Sequence, residues 1–271
     1  MLPYLGPIPA FAVGYAMAAV MGGGALLWLT RRSGYNLRQS AAIFGYLALA
    51  LLVGSKVLYL AESWPQWLHS SPELGEAILS PRMRIPGGLL LAIAAGPWIA
   101  RRIGVRFLTY ADTVVPAAGM LLVGIRVGCF LEGCCYGTPS VVPWAVQFPP
   151  ATDVYRWQLA HGLIQPGAAS TCSVHPLQLY FGAVGLLLFA VLSSYTRRKR
   201  YDGEVLILFS ILYFWSTWFL EWLRALPHDA THQLVLVCAV LSTVVALAVR
   251  ASVVLNPAKG IAPDSAVRRL R

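Results

Sequence analysis

The sequence predicts an all-α, polytopic membrane protein with about seven transmembrane helices, its N-terminus outside and its C-terminus in the cytoplasm. Three observations predict it. Of 271 residues, 58% are hydrophobic and only 12% charged, where soluble domains carry roughly a quarter charged residues. Mean hydropathy is +0.64. The apolar residues also come in runs near the roughly 20 that a helix needs to cross a bilayer core, and short loops carrying the basic residues separate those runs. A net charge of +10 would elsewhere suggest nucleic acid. Here the basic residues sit where membrane topology puts them, so a membrane partner is expected and no nucleic acid.

Hydropathy predicts the spans in order. The first runs from Ile8 to Thr30. Met1 to Pro9 lacks the basic stretch of a cleavable signal, and the run that follows is long enough to cross, so it reads as a helix rather than a leader. The second is Ala41 to Ala61. The third, Pro86 to Ala100, is short and opens on Pro86-Gly87-Gly88, which predicts an irregular or re-entrant start. The fourth, Ala111 to Cys134, contains Arg126 and Glu132. Pro176 to Tyr195, Gly203 to Leu223 and His232 to Val253 complete the set.

Basic residues orient them. The loops after spans one, three and five carry Arg31, Arg32 and Arg38, then Arg101, Arg102 and Arg106, then Arg197, Arg198, Lys199 and Arg200. The tail carries Lys259, Arg268, Arg269 and Arg271. The alternate loops are poor in Lys and Arg. One transmembrane domain, 1–255, is expected, with outer-face segments 62–85 and 136–175 and a basic cytoplasmic tail, 256–271.

Ionisable residues inside spans cost several kcal/mol, about 2.5–3.5 on insertion scales, and mark functional interiors. Lys56, Arg126, Glu132, Glu221 and Arg224 all map to the outer half of the bilayer. Lys56 and Arg224 are close enough to an interface to snorkel, and Glu221 with Arg224 has the i,i+3 spacing of a structural pair. Arg126 lies about two turns deep, and a guanidinium there suits a bidentate hold on a lipid phosphate. Cys129, Cys134 and Cys135 follow it within a few residues, with Cys172 on the same side and Cys238 in the last span. The outer face favours disulfides, so Cys172 with Cys134 or Cys135 is a candidate pair. The C-x4-C-C spacing fits no zinc signature; no metal and no cofactor are expected.

The run Arg126-Val127-Gly128-Cys129-Phe130-Leu131-Glu132-Gly133-Cys134-Cys135-Tyr136-Gly137, led by Asp112 to Pro116, resembles the arginine-glycine signature of the prolipoprotein diacylglyceryl transferase family, in a cysteine-bearing form. Pro143-Trp144-Ala145-Val146 with Phe148-Pro149, the run His175-Pro176-Leu177-Gln178-Leu179-Tyr180, and Glu221 with Arg224 before Pro227 are similar too, as is Gly54-Ser55-Lys56 with Tyr59. The resemblance covers about residues 5 to 250. It implies seven helices in a bacterial inner membrane. It also implies transfer of the diacylglyceryl group of phosphatidylglycerol to the thiol of a lipobox cysteine in a prolipoprotein, with glycerol-1-phosphate leaving. By that resemblance Arg126 is the catalytic candidate that holds the departing phosphate. On their own chemistry His175 and Glu132 are the catalytic candidates for proton transfer. The alternatives are capping of the fifth span beside Pro176 for His175 and an ion pair with Arg126 or Lys56 for Glu132. Lys56, Tyr59, Gly87, Gly88, Arg126, Gly137, Gln178, Tyr180, Glu221 and Arg224 are the substrate-binding candidates.

The chain departs from the family pattern at several polar positions. Pro86 stands where the family uses histidine before Gly-Gly, and Thr217 where it uses arginine. Cys129 replaces an asparagine and Cys134 an acidic residue, and a first-helix tyrosine has only Val13 and Tyr15 near its place. Two other readings therefore stay open: a non-catalytic phospholipid-binding homologue, and a thiol-redox membrane protein using Cys134 and Cys135.

Overall fold

The computed structural model describes residues 4–5, 8–67, 85–225 and 230–255. The tail 256–271 and most of segment 62–85 lie outside the described residues. Among those described, a two-residue strand pair, β1 (Tyr4–Leu5) with β2 (Ile8–Pro9), precedes nine α-helices. These are α1 (Ala10–Arg32), α2 (Leu37–Trp67), α3 (Ile85–Ile103), α4 (Phe107–Val114), α5 (Ala117–Glu132), α6 (Asp153–Ala160), α7 (Leu177–Tyr195), α8 (Glu204–Glu221) and α9 (Ala230–Leu255).

Each predicted span contains helix, the first only from Ala10 because Ile8–Pro9 pairs as β2, and two others differ in detail. The fourth is broken: α4 and α5 meet at a 44° bend. Pro116 lies in the break at φ −58°; it has no N–H to bond back and so interrupts the ladder. The third begins as regular helix at Ile85, not as an irregular turn, because Pro86 falls in the first turn, where no intrahelical donor is needed. Among the described residues, five helices are long and apolar enough to cross a membrane, or six if the bent pair counts as one span. The arginines, prolines and glycines of α3 dilute its apolar run.

The chain divides into two compact units, Met1–Leu29 with Ala111–Arg271, and Thr30–Tyr110. In the second unit, α2 and α3 pack through glycine. A Cβ on Gly54 would strike the Gly87 carbonyl, and one on Gly88 would strike Leu51 O and Ser55 Oγ. Small residues let helix backbones approach where lipid supplies no hydrophobic drive between them.

The first unit uses the same device. Gly14, Ala18 and Gly22 on α1 recur every four residues, and so do Gly124 and Gly128 on α5; Gly14 meets Gly128, and Gly124 meets Ala18. On the other side of α5, Gly119 meets Gly185 of α7. Leu188, Leu192 and Val205 form a core between α7 and α8. Helix α9 joins α8 through Trp215 Nε1, which donates to Thr243 Oγ1 at 3.1 Å. It leaves Leu234, Val237, Leu241 and Val245 exposed along one stripe, as a lipid-facing helix does. At the far end of the unit Asp112, wholly buried, accepts from Lys199 Nζ at 3.0 Å, Gly203 N at 2.7 Å and Leu206 N at 3.0 Å. Its carboxylate thereby caps the first turn of α8.

Candidate functional site

The segment from Gly133 to Pro176 is not a free loop. Val146 and Val174 exchange backbone bonds of 3.0 and 2.9 Å, Gly137 N donates to His175 O, and Thr138 N donates to Leu223 O at 2.8 Å. The buried amide of Gln158 donates to Cys172 O and accepts from Cys172 N. Tyr136, Phe148, Val154 and Val174 form a small core beneath. This wall joins the end of α5, the start of α7 and the turn after α8.

Helix α5 ends at Glu132, two residues earlier than expected, because Gly133 takes the left-handed conformation at φ +75°. Glycine is needed there twice over: for that φ, and because a Cβ would lie 2.7 Å from Thr152 Cβ. The Cys129 carbonyl then accepts from both Gly133 N at 3.0 Å and Cys134 N at 3.1 Å, a helix-terminating closure. That reversal folds Cys134 and Cys135 back over the last helical turn, and the sulfurs of Cys129, Cys134 and Cys135 all come within 4.8 Å of one another. Cys135 itself sits at φ +56°, which costs a non-glycine residue about 1–2 kcal/mol. Gln178, wholly buried, holds the turn by donating from Nε2 to Cys134 O at 2.6 Å.

Arg126 points from α5 to α7, its Cζ 4.1 Å from the centre of the Phe181 ring. Its Nε is buried with no hydrogen-bond partner. Glu132 Oε2 is likewise buried and unpartnered, and no ion pair joins it to Arg126. Six positions apart on one helix, the two do not share a face. The i,i+3 pair is formed instead at the end of α8, where Arg224 Nη1 donates to Glu221 Oε1 at 2.8 Å and Oε2 at 3.0 Å. Arg224 Nη2 also reaches Cys135 Sγ at 4.0 Å.

His175 Nδ1 shares a hydrogen bond of 3.1 Å with the Tyr180 hydroxyl, which also accepts from Trp144 Nε1 at 2.6 Å. Gly137 packs so closely that a Cβ would lie 2.6 Å from His175 Cβ and 2.8 Å from Leu223 O. A cavity of about 750 Å³ opens in the wall, lined by residues that include Pro139, Val142, Ala145 and Cys172; none of the charged candidates lines it. In the second unit, Lys56 Nζ lies 5.3 Å from the centre of the Tyr59 ring. Gly87 and Gly88 there pack on α2.

The structure thus brings Arg126, Gln178, Glu221, Arg224, Gly137, His175, Tyr180 and the three adjacent cysteines to one end of the first unit. The pairing of Cys172 with Cys134 or Cys135 is not formed. All five cysteines are free, and Cys172 Sγ instead donates to Leu163 O at 3.4 Å. Sequence reasoning missed Phe181 as the platform for Arg126, although it lies three residues after Gln178 and so on the same face of α7. It also missed the gathering of the thiols, whose signal was the helix-ending glycine between Cys129 and the Cys134-Cys135 pair.

Residues 2–255 match the family model described as prolipoprotein diacylglyceryl transferase. The chain is similar to the phosphatidylglycerol–prolipoprotein diacylglyceryl transferase of Pseudomonas savastanoi pv. phaseolicola, 29% identical over 228 residues that cover 79% of this chain and 78% of that protein. It is similar to the protein of the same name from Geobacter sulfurreducens, 30% identical over 217 residues, 78% of this chain and 76% of that one. A match over almost the whole length means that the chain belongs to the prolipoprotein diacylglyceryl transferase family.

Proposed function

We propose that this protein transfers the diacylglyceryl group of phosphatidylglycerol to the thiol of a lipobox cysteine in a prolipoprotein, in the outer leaflet of a bacterial inner membrane. The observation that carries this reading is Arg126. Its guanidinium is held on the Phe181 ring, its Nε is buried without a partner, and among the described residues no carboxylate pairs with it. A cation kept in that state inside a helix bundle calls for an anion from outside the protein, and a lipid phosphate is the abundant anion at that depth.

In this reading the acceptor thiolate attacks the glyceryl carbon next to the phosphate. The carbon–oxygen bond breaks, and its electron pair leaves on glycerol-1-phosphate. Arg126 stabilises the charge that gathers on the departing phosphate. His175 and Glu132 are the candidate bases for the thiol proton. Gln178, Gly137 and Tyr180 contact the substrates, and Glu221 orients Arg224. Lys56, Tyr59, Gly87 and Gly88 supply further lipid contacts. Seven crossings with the N-terminus outside, as the loop charges predict, would put this end of the protein in the outer leaflet.

A second reading, a phospholipid-binding homologue without transfer, draws support from Thr217, whose buried hydroxyl has no hydrogen-bond partner where the family uses arginine. One experiment separates the two. The gene is expressed in a strain depleted of its own transferase, with Arg126→Ala as control, and the purified protein is assayed with phosphatidylglycerol and a lipobox peptide. Rescue and thioether formation that Arg126→Ala abolishes are expected. Absence of both rescue and transfer would sink the enzyme reading.

A further inference from the structure

The three thiols gathered at the end of α5 have no part in the reaction as written above. Their sulfurs lie within 4.8 Å of one another. Three thiolates bound to one zinc ion at about 2.3 Å stand roughly 3.7 Å apart in a tetrahedral arrangement, so small side-chain rotations would close this triangle on an ion. The turn that gathers them is rigidly made: a left-handed glycine cap, a fully buried Gln178 donating to Cys134 O, and Cys135 held at φ +56°. The charge is also suitable. Three thiolates and a divalent ion leave one net negative charge. Arg224 donates to Cys135 Sγ at 4.0 Å, and Arg126 lies within electrostatic reach of the same sulfur.

We propose that Cys129, Cys134 and Cys135 bind one zinc ion as thiolates, and that its open fourth position takes the acceptor thiol. Three protein ligands and one open position are the pattern of catalytic rather than structural zinc. A thiol that coordinates zinc is deprotonated outright, so the ion supplies the thiolate without a dedicated base. The balance is simple. The acceptor S–H binds and its proton leaves to water. A sulfur electron pair then forms the bond to the glyceryl carbon as the carbon–oxygen bond breaks towards the phosphate. The zinc keeps its oxidation state. Only this acceptor step rests on the transfer reaction proposed above; the metal site does not.

The test uses the full-length protein, reduced, loaded with zinc chloride in detergent and desalted. We expect about one zinc per chain by elemental analysis, lost in Cys129→Ser, Cys134→Ser and Cys135→Ser and kept in Cys172→Ser. A second measurement needs no variant: zinc should shield three thiols from alkylation in the unmutated protein, and a chelator should expose them. Cobalt in place of zinc should give tetrahedral thiolate bands that shift with a lipobox peptide but not with its Cys→Ser form. No bound metal, or a disulfide among the three seen as loss of two hydrogens in protein isolated from cells, would overturn the site. Cobalt bands that ignore the peptide thiol would overturn the acceptor step. Transfer by metal-free protein overturns the acceptor step and leaves the reaction; zinc bound without transfer leaves the site and overturns the reaction.

Discussion

Arg126 sits over the Phe181 ring, its Cζ 4.1 Å from the ring centre, with Phe181 itself 1% exposed. The ring fixes the guanidinium without neutralising it, which a carboxylate partner would do. A planar, delocalised cation can stack on one face and still present its edge N–H groups to a phosphate. An ammonium can do neither with the same geometry. Transfer to a lipobox peptide should therefore fall by about a hundred- to a thousand-fold in Arg126→Ala, and Arg126→Lys should recover little of it. Phe181→Leu removes only the platform, worth about 0.5–2 kcal/mol, and should cost up to about thirty-fold. Initial rates against phosphatidylglycerol concentration check all three. Equal losses in Phe181→Leu and Arg126→Ala would show that the ring does more than hold the cation.

Asp112 is the structural counterpart at the other end of the unit. Its carboxylate has no exposed surface and satisfies one ammonium and two backbone N–H groups. Removing it leaves Lys199 half-desolvated and the first turn of α8 uncapped. Asp112→Ala should lower stability by about 3–5 kcal/mol, the cost of breaking a buried pair. Lys199→Ala should cost less, because the two backbone donors remain. Thermal unfolding in detergent checks the order, and a larger loss in Lys199→Ala than in Asp112→Ala would contradict it.

The sequence revealed most where a single physical rule acts. Each predicted span contains helix, because apolar runs have few other options in a bilayer. Among the described residues, though, only five helices, or six with the bent pair, are long and apolar enough to cross. The ion pair of Glu221 with Arg224 followed from i,i+3 spacing. What was not legible depends on chain reversals. The bend at Pro116 was hidden inside a continuous hydropathy peak. The gathering of Cys129 with Cys134 and Cys135 needs the left-handed Gly133, and spacing rules for metal sites assume other turns. The absence of a disulfide to Cys172 has the same origin: Gln158 clamps the Cys172 backbone and Leu163 takes its thiol.

Close packing of α1 on α5 gives a third expectation. At Gly14 a Cβ would collide with the Gly128 backbone, while at Gly23 it would meet nothing within 4 Å. Gly14→Leu and Gly128→Leu should therefore abolish accumulation of folded protein. Gly23→Ala should leave it unchanged or stabilise α1 by up to about 1 kcal/mol, the helix-propensity difference. Folded yield after detergent extraction measures this. Normal yield of Gly128→Leu would refute the glycine contact.

The outer wall should show its own alkaline transition. Burial, with the Asp153 carboxylate adding to it, pushes the Tyr136 phenol up to about 12, against about 10 when unfolded. The unfolded chain thus gives up this proton first as pH rises. The contribution of Tyr136 to stability is complete below about pH 10 and is lost as pH climbs towards 12, with a slope of at most about 1.4 kcal/mol per pH unit. Tyr136→Phe keeps the ring in the core with Phe148 and Val174 and removes the proton. The unfolding midpoint of the variant should therefore fall less steeply than that of the unmutated protein between pH 10 and 12, and the two should run parallel between pH 7 and 9. Parallel curves across the whole range would mean that the phenol is not buried against its own ionisation.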